Sequence, residues 1–375
     1  MIDVKPDRTR RAWRLVLTAA LVAGPARALT AGVSGQAPGW VGGGRDTSVF
    51  GLAGLGYIPS LALDIVPGWF DAEAAVSGRV DASARPDSLR LGAAFKPYRA
   101  WFRLSRGRLE ARAGLQKLAF GSAMLLRPLQ WFDRIDPRDP TGSTDGVYAL
   151  LGRYWFPGDA NAWAWGLIGN STPRAWEQFG TEQWVPELGG RVQVSVPRGE
   201  VAASYHHRRA RKAGPAGSFN EDRLGLDGKW DVGVGLWTEA TALREWTDAS
   251  PLPWQWAATV GLDYTFGVGN GLTAAAEHLA LARTAGPWHT AGAVAGQVTG
   301  LSVAYPLGLL DRLNGFLLWD WQNRHAYGFA AWQRALDRWL FQAAGFWGPE
   351  RPAAAGVPGG AAAGKGLRLT VVFNH

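Results

Sequence analysis

The sequence predicts an all-β fold, an antiparallel transmembrane β-barrel of about sixteen strands, within a range of roughly fourteen to eighteen. Three observations carry this expectation: apolar and polar residues alternate along most of the chain, short connections interleave with long polar ones, and the composition is rich in glycine and tryptophan. There are 50 glycines and 21 tryptophans in 375 residues, and no cysteine. Without cysteine there is no disulfide framework, thiolate metal site or cysteine nucleophile.

Residues 1–28 read as a secretory signal peptide. Lys5, Arg8, Arg10, Arg11 and Arg14 make a basic head, Leu15–Ala23 a short apolar core, and Ala26–Ala28 a small-x-small cleavage site. The Arg10-Arg11 pair also resembles a twin-arginine signal, but that route carries folded cargo and suits a membrane-inserting chain poorly. Of the formal net charge of +8, the signal contributes +4 through six basic and two acidic groups, leaving +4. That is too little to imply a nucleic-acid partner. Beyond the signal no apolar run is long enough for a transmembrane helix, so an exported chain of this kind is either soluble or a membrane barrel. Residues 29–68 are an N-terminal segment in which Ser48–Val66 could supply two further strands or lie in the periplasm or lumen.

From residue 69 to the C-terminus the alternation marks the barrel. Sixteen strands are expected at 69–81, 88–98, 107–119, 145–156, 161–170, 187–196, 200–208, 222–229, 232–245, 254–266, 271–282, 291–304, 314–322, 325–333, 337–347 and 365–374. In the first of these, Phe70, Ala72, Ala74, Val76 and Val80 fall on one parity and Asp71, Glu73, Ser77 and Arg79 on the other. Successive strand side chains point to opposite faces, so each such run has one greasy and one polar or small face. The run 254–266 behaves likewise, with Val260, Leu262, Tyr264 and Phe266 opposite Thr259, Gly261 and Asp263. The terminal run sets Leu367, Leu369, Val371 and Phe373 against Arg368 and Thr370, and Asn374 and His375 follow its last phenylalanine.

The connections at 105–108, 157–160, 197–199, 230–231, 267–270 and 334–337 are short, whereas 120–144, 171–186, 209–221, 283–290 and 348–364 are long and polar. This asymmetry fits short periplasmic turns and long extracellular loops, with both termini periplasmic. Gly267, Gly269 and Gly271 lack the G-x-G-x-x-G spacing of a dinucleotide loop, and Asn270-Gly271 is a hairpin turn signal instead. Trp69, Trp101, Trp155, Trp230, Trp246, Trp254, Trp339 and Trp347 fall near expected strand ends, as aromatic girdles would.

The stretches "ARAGLQKLAFG" (111–121), "RPLQWFDRIDPRDP" (127–140), "GVYALLGRYWF" (146–156), "NAWAWGLIGN" (161–170), "GGRVQ" (189–193) and "VGLDYTFGVGNGL" with "EHL" (277–279) together resemble porin-like outer-membrane proteins of Gram-negative bacteria, a loose group that includes alginate-export-like barrels. In that group a strand reading Arg-x-Gly-Arg-Gln precedes a glycine and a Pro/Asp-rich loop. Leu115 stands here at the second arginine, so any anion-handling role tied to that arginine is not carried over. The resemblance covers most of 69–347; it implies a barrel and does not imply a solute.

Segment 121–144 is the main candidate site. Arg127, Asp133, Arg134, Asp136, Arg138 and Asp139 cluster there, with prolines at 128, 137 and 140 that prevent regular structure. Folded inward, these charges would narrow the lumen. Left outside, they would pair locally in an external loop, and Asp133, Asp136 and Asp139 also offer oxygen ligands for calcium, though without EF-hand spacing. Glu110, Arg112, Arg191, Glu239, Asp263 and Glu277 are expected to face the lumen, where acidic and basic residues are about equal in number. Arg208, Arg209, Arg211 and Lys212, in the basic run 205–212, are candidates for lipopolysaccharide contact. His206 and His207 are adjacent, point to opposite faces and cannot share a metal; no metal site or cofactor is expected. His278 beside Glu277 lacks an identifiable serine partner, so an enzyme is not expected.

The expected function is an outer-membrane channel of porin or export type for polar solutes, with lipid, lipopolysaccharide and the barrel-assembly machinery as partners and a homo-oligomer as one possible state. The alternatives are a plugged structural or assembly barrel serving a partner complex, and a secreted tryptophan-rich β protein that binds glycans.

Overall fold

A computed structural model describes residues 29–212, 217–248, 250–287, 294–350 and 364–375; the expected signal peptide lies outside the described residues. The strands are β1 (Thr30–Arg45), β2 (Val49–Val66), β3 (Phe70–Arg85), β4 (Ser88–Arg106), β5 (Leu109–Gln116), β6 (Val147–Trp155) and β7 (Asn161–Leu167). A two-residue strand, β8 (Gly180–Thr181), precedes β9 (Glu187–Val196), β10 (Gly199–Arg211), β11 (Ser218–Asp231), β12 (Gly235–Trp246) and β13 (Trp254–Phe266). The remainder are β14 (Leu272–Thr284), β15 (Val294–Pro306), β16 (Asp311–Asp320), β17 (His325–Ala335), β18 (Trp339–Trp347) and β19 (Lys365–Asn374).

Apart from β8, which only caps the end of β10, every strand pairs antiparallel with its predecessor, β7 passing directly to β9. The ring closes where β1 pairs with β19, Gln36 opposite Asn374 and Arg45 opposite Lys365. The wall therefore has 18 strands rather than about sixteen. All sixteen expected strands are present, and the two additional ones are β1 and β2, from the segment left open in the sequence. They were hard to read because β1 carries glycine at 32, 35, 39, 42, 43 and 44 and proline at 38. These glycines fall on both faces of β1, and β2 is apolar on both, with Phe50, Leu52 and Ile58 on one parity and Leu55, Tyr57 and Leu61 on the other, so neither strand shows an alternation of hydrophobicity.

Burial follows the pleat. On β13 Val260, Leu262, Tyr264 and Phe266 are exposed on the outside, while Thr259 beside Val260 is buried. The same outward apolar row continues on β11 through Leu224 and Leu226, on β15 through Leu301 and Val303, and on β19 through Leu367 and Leu369. Inside, the buried set includes Glu187, Arg191, Arg208, Glu221, Arg223, Glu239 and Glu277. This inversion, apolar outside and ionic inside, is opposite to that of a water-soluble barrel.

At one rim every connection is short: 67–69, 107–108, 156–160, 197–198, 232–234, 267–271, 307–310 and 336–338; the other rim has short ones at 46–48, 86–87 and 321–324 and also carries the long connections. The turn 267–271 carries Gly269 and Gly271 at positive φ and a Gly271 N–H to Val268 C=O bond of 3.0 Å, so the glycine cluster is a hairpin. The first and last strands begin and end at this same rim. His375 extends the seam: it exchanges two backbone hydrogen bonds of 3.0 Å with Gly35, and its ring stacks on Tyr57 and Phe373. The residue that departs from the usual aromatic terminus thus does an aromatic side chain's packing.

Two expectations are corrected. The stretch 209–221 is not a long loop, because β10 runs to Arg211 and β11 starts at Ser218. Trp101 and Trp155 lie on the inward parity, where Arg112 covers the Trp101 ring at 4.6 Å, so neither belongs to an exterior girdle. Trp230, Trp246, Trp254, Trp339 and Trp347 are on the outward parity.

Because β1 supplies one side of the only seam joining the two ends of the sheet, deleting 29–66 should abolish the closed state. The chain from residue 29 onward should migrate differently in detergent gels before and after boiling. The truncated chain should migrate identically in both, and retention of the heat-sensitive band would contradict the closure described.

Candidate functional site: a backbone segment held across the barrel interior

The connection 117–146 between β5 and β6 turns into the barrel. Gly121, at φ 101°, makes the bend, and its missing side chain leaves room for the Glu239 carboxylate that lies against it. Pro128, Pro137 and Pro140 keep the rest irregular. Irregular backbone away from water needs partners for its N–H groups. Two wall carboxylates supply them.

Glu239, on β12, accepts the N–H of Ala123 at 2.7 Å and of Leu129 at 2.9 Å. Glu277, on β14, accepts the N–H groups of Met124 at 2.6 Å, Leu125 at 2.9 Å and Leu126 at 2.6 Å. The Trp237 indole also donates to Glu277 at 2.9 Å, and the Thr259 hydroxyl donates to the Leu126 carbonyl at 2.7 Å. Three neighbouring strands therefore grip one heptapeptide, Ala123–Leu129. Further along, Arg99 of β4 donates to the Thr144 carbonyl at 2.8 Å and Gln342 of β18 to the Arg138 carbonyl at 3.4 Å. The segment has wall contacts on both sides of the lumen.

Apolar packing reinforces the grip. Leu118, Phe120, Leu129, Trp131 and Phe132 form one buried cluster with Val147, Leu151, Trp165 and Leu167 of the wall. Leu126 joins Leu279, Val298, Leu318 and Tyr327 in a second. Gly225 of β11 must lack a side chain for Leu129 and Trp131 to lie against the sheet.

A second inward connection, 168–186, is tied to the first by the Trp176 indole, which donates to the Arg127 carbonyl at 2.7 Å. It carries Arg174 and Glu177 into a buried ion network. Arg174 bridges Glu177 at 3.0 Å and Glu187 at 2.5 Å; Arg223 bridges Glu177 at 2.9 Å and Glu221 at 2.5 Å; Arg208 reaches Glu221 at 2.6 Å. Burial alone would raise the Glu177 carboxyl, but the guanidinium groups of Arg174, Arg223 and Arg208 outweigh it and hold the group below the ordinary carboxylate range. His206 accepts the Trp165 indole N–H on Nδ1 at 3.2 Å, which leaves Nε2 to donate to Glu187 at 3.0 Å.

The candidates of the inner segment divide into local pairs. Arg127 pairs with Asp133 at 3.0 Å, Asp136 with Arg138 at 2.8 Å, and Asp139 accepts from Thr141 at 2.8 Å. Arg134 is exposed, with its backbone N–H on the Thr144 hydroxyl. With its acids so engaged, the segment brings no three acidic or histidine groups together for a metal among the described residues. Asp136, Arg138 and Asp139 lie within electrostatic reach of Arg368 on β19. Arg79 and Arg368 flank the Trp40 ring at 4.6 and 5.8 Å.

Among the wall candidates, Glu110 lies between Arg112 at 3.3 Å, Arg103 at 3.6 Å and Arg153 at 3.8 Å. Arg191 is buried against Asp227 at 2.5 Å, and Asp263 is half-buried near the short-turn rim beside Gly235. Arg208 is 1% exposed and paired inward, so it is withdrawn from the candidates for contact with external lipid; sitting on the same parity as buried His206, it could not face outward. Arg209 and Arg211 are exposed on the other parity, Arg209 pairing with Glu182 at 3.0 Å, and the Lys212 ammonium lies 5.2 Å over the Phe179 ring. His278 faces outward and meets the Thr299 hydroxyl at 2.9 Å. Arg99, Arg174, Glu177, Trp237, Thr259 and Gln342 had no sequence signal as a set, because their partners are backbone groups or residues far away along the chain.

Replacing Glu277 by alanine leaves three inner-segment N–H groups and the Trp237 indole without their acceptor, at about 1–3 kcal/mol each where water cannot replace it. In Glu277→Ala, amide exchange at Met124, Leu125 and Leu126 should rise by about ten- to a hundredfold while wall strands stay protected. Unchanged protection at those three amides would show that Glu277 does not hold the segment.

No protein-family model and no curated protein matches the sequence. Among solved structures, Pseudomonas aeruginosa OccK7 (OpdD) aligns over 92% of this chain and 98% of its own at 11% identity, with a TM-score of 0.56. Acinetobacter baumannii OccAB4 aligns over 92% and 97% at 10% identity, TM-score 0.53. OmpT, an outer-membrane protein of Vibrio cholerae in its trimer form, aligns over 92% and 99% at 12% identity, TM-score 0.50. The closed antiparallel barrel seen here is thus the fold of Gram-negative outer-membrane porins.

Proposed function

We propose that the protein is an outer-membrane channel that lets small polar solutes pass, with residues 121–144 setting the width of its lumen. The observation that carries this reading is the fixation of Ala123–Leu129 to Glu239 and Glu277 inside a barrel whose outer surface is apolar. An unfixed loop would sample the lumen; a loop held at both carboxylates presents one shape to a passing solute. On this reading the passage runs between Asp136, Arg138 and Asp139 of the segment and Arg79, Trp40 and Arg368 of the wall. Charges of both signs line it, which suits hydrated polar solutes without strong ion preference. The rim of short turns, with both termini, faces the periplasm, and the long connections face outward.

The plugged structural barrel is kept as a second reading by one observation: the cluster around Phe120, Trp131 and Phe132 is a dry core inside the barrel. Planar-bilayer recording separates the two. Folded wild type should give small, steady conductance steps, and Glu239→Ala with Glu277→Ala should raise step size several-fold. Silence from wild-type protein whose gel mobility confirms folding would favour the plugged barrel.

Membrane insertion has its own test. Val260 is outward and 59% exposed on β13. Val260→Arg should cost about 2–4 kcal/mol of stability in lipid if it lies near the bilayer midplane, falling toward zero near the interfaces. Unfolding titrations of the protein in vesicles measure it, and an unchanged midpoint for Val260→Arg and for Leu226→Arg on β11 would contradict an embedded wall.

A further inference from the structure

One charged group on the outside of the barrel has no partner that explains it. Arg244, on β12, is on the outward parity opposite Asp222 and Trp254. Its guanidinium carbon lies 3.3 Å from the Trp246 ring centroid and 5.4 Å from that of Trp254. Among the described residues no carboxylate stands within ion-pair distance of it. Asp222, its cross-strand neighbour, is already occupied: it accepts the Tyr205 hydroxyl at 2.7 Å and the Trp246 indole N–H at 2.5 Å, and meets His207 Nδ1 at 2.7 Å. Those bonds fix the Trp246 ring under the guanidinium. Trp254 in turn stacks on Trp256 at 5.7 Å with 12° between planes, and Trp256 is anchored by its N–H to Thr284 at 3.2 Å. The arginine is held in a rigid aromatic frame while its five N–H donors keep their capacity.

Height on the wall gives the frame its meaning. Arg244 is two residues from the end of β12 at the long-connection rim, and below it the outer surface is the apolar band of Leu224, Leu226, Val260 and Leu262. Tryptophan and arginine at that boundary sit at headgroup level, where a desolvated cation on an aromatic face attracts phosphate. Arg209, which bridges Glu182 at 3.0 Å through Nε, lies one outward row higher, in the row of Asn220 and Trp246, and exposed Arg211 one row above that.

We propose that Arg244, framed by Trp246 and Trp254 and backed by Arg209 and Arg211, is a binding site for a phosphorylated glycolipid of the outer leaflet, one phosphate on Arg244 and a second on the higher arginines. The commitment to a glycolipid with two phosphates rests on the two levels of cationic charge and on the outward orientation of the long-connection rim given above.

The test uses the folded full-length mature chain in detergent, with bisphosphorylated lipid A as the probe and native mass spectrometry as the readout. Wild type should retain lipid A, Arg244→Gln should bind it at least tenfold more weakly, and Arg209→Gln with Arg211→Gln should weaken it as well. Phosphatase-treated lipid A should bind wild type as weakly as the variants bind the intact lipid. Arg244→Gln binding equal to wild type, or phosphatidylglycerol binding wild type as tightly as lipid A, overturns the proposal. Heat-dependent gel mobility verifies folding of each variant. Arg244 faces away from the lumen, so Arg244→Gln should conduct as wild type does in the same preparations. Absent conductance with preserved lipid A selectivity would count against the channel and leave the lipid site standing.

Discussion

A chain that leaves the wall of a barrel and crosses its interior gives up the partners a strand would have provided. Each amide N–H along that path must be bonded to something or be left costing free energy. Here two carboxylates resolve the difficulty for five amides, Glu239 taking two and Glu277 three. The rest of the interior follows from that arrangement. With 123–129 fixed, Leu126 and Leu129 enter two separate apolar clusters, the aromatic one closes around Phe120, and the Arg127 carbonyl is presented to Trp176 of the second inward connection. A carboxylate suits the task better than an amide because all its lone pairs accept and none of its atoms donates.

The fold was largely legible, and the reason is the pleat. On β13 or β19 every second residue is apolar, and a two-residue period survives any detail of the loops. β1 and β2 escaped because glycine falls on both faces of β1, at 32, 42 and 44 on the parity of Trp40 and at 35, 39 and 43 on the other, while β2 is apolar on both, Phe50, Leu52 and Ile58 against Leu55, Tyr57 and Leu61. Parity was also enough to place Glu277 and Glu239 on the same face as Arg191 and Glu110. It was not enough to say what they hold, since the partners are main-chain amides more than a hundred residues earlier. Connection 168–186 was opaque for the same reason: Arg174 and Glu177 sit in a polar stretch without period, and only the folded barrel brings Arg208, Glu221 and Arg223 around them.

Tryptophan illustrates the limit of reading by composition. The abundance suggested belts at the membrane boundary, and Trp246, Trp254, Trp339 and Trp347 do face outward. Trp40, Trp101, Trp131, Trp163, Trp165 and Trp237 instead line or fill the interior, several beneath arginines. One residue type serves both surfaces because an indole tolerates hydrocarbon on its edge and a guanidinium on its face. Position along the pleat, not count, decides which.

The seam between β1 and β19 has a temporal consequence. Its side-chain bond between Gln36 and Asn374 spans 338 residues, so the first strand to be synthesised finds its second neighbour only when the last has been delivered. A closure of that separation carries nearly the full loop-entropy penalty of the chain. Until then β1 to β18 can form an open, curling sheet, whose β12 to β14 already carry the side chains that hold the segment crossing the interior. Closure is therefore the wall pairing of longest sequence separation, while every other neighbouring pair of wall strands is joined by a single connection.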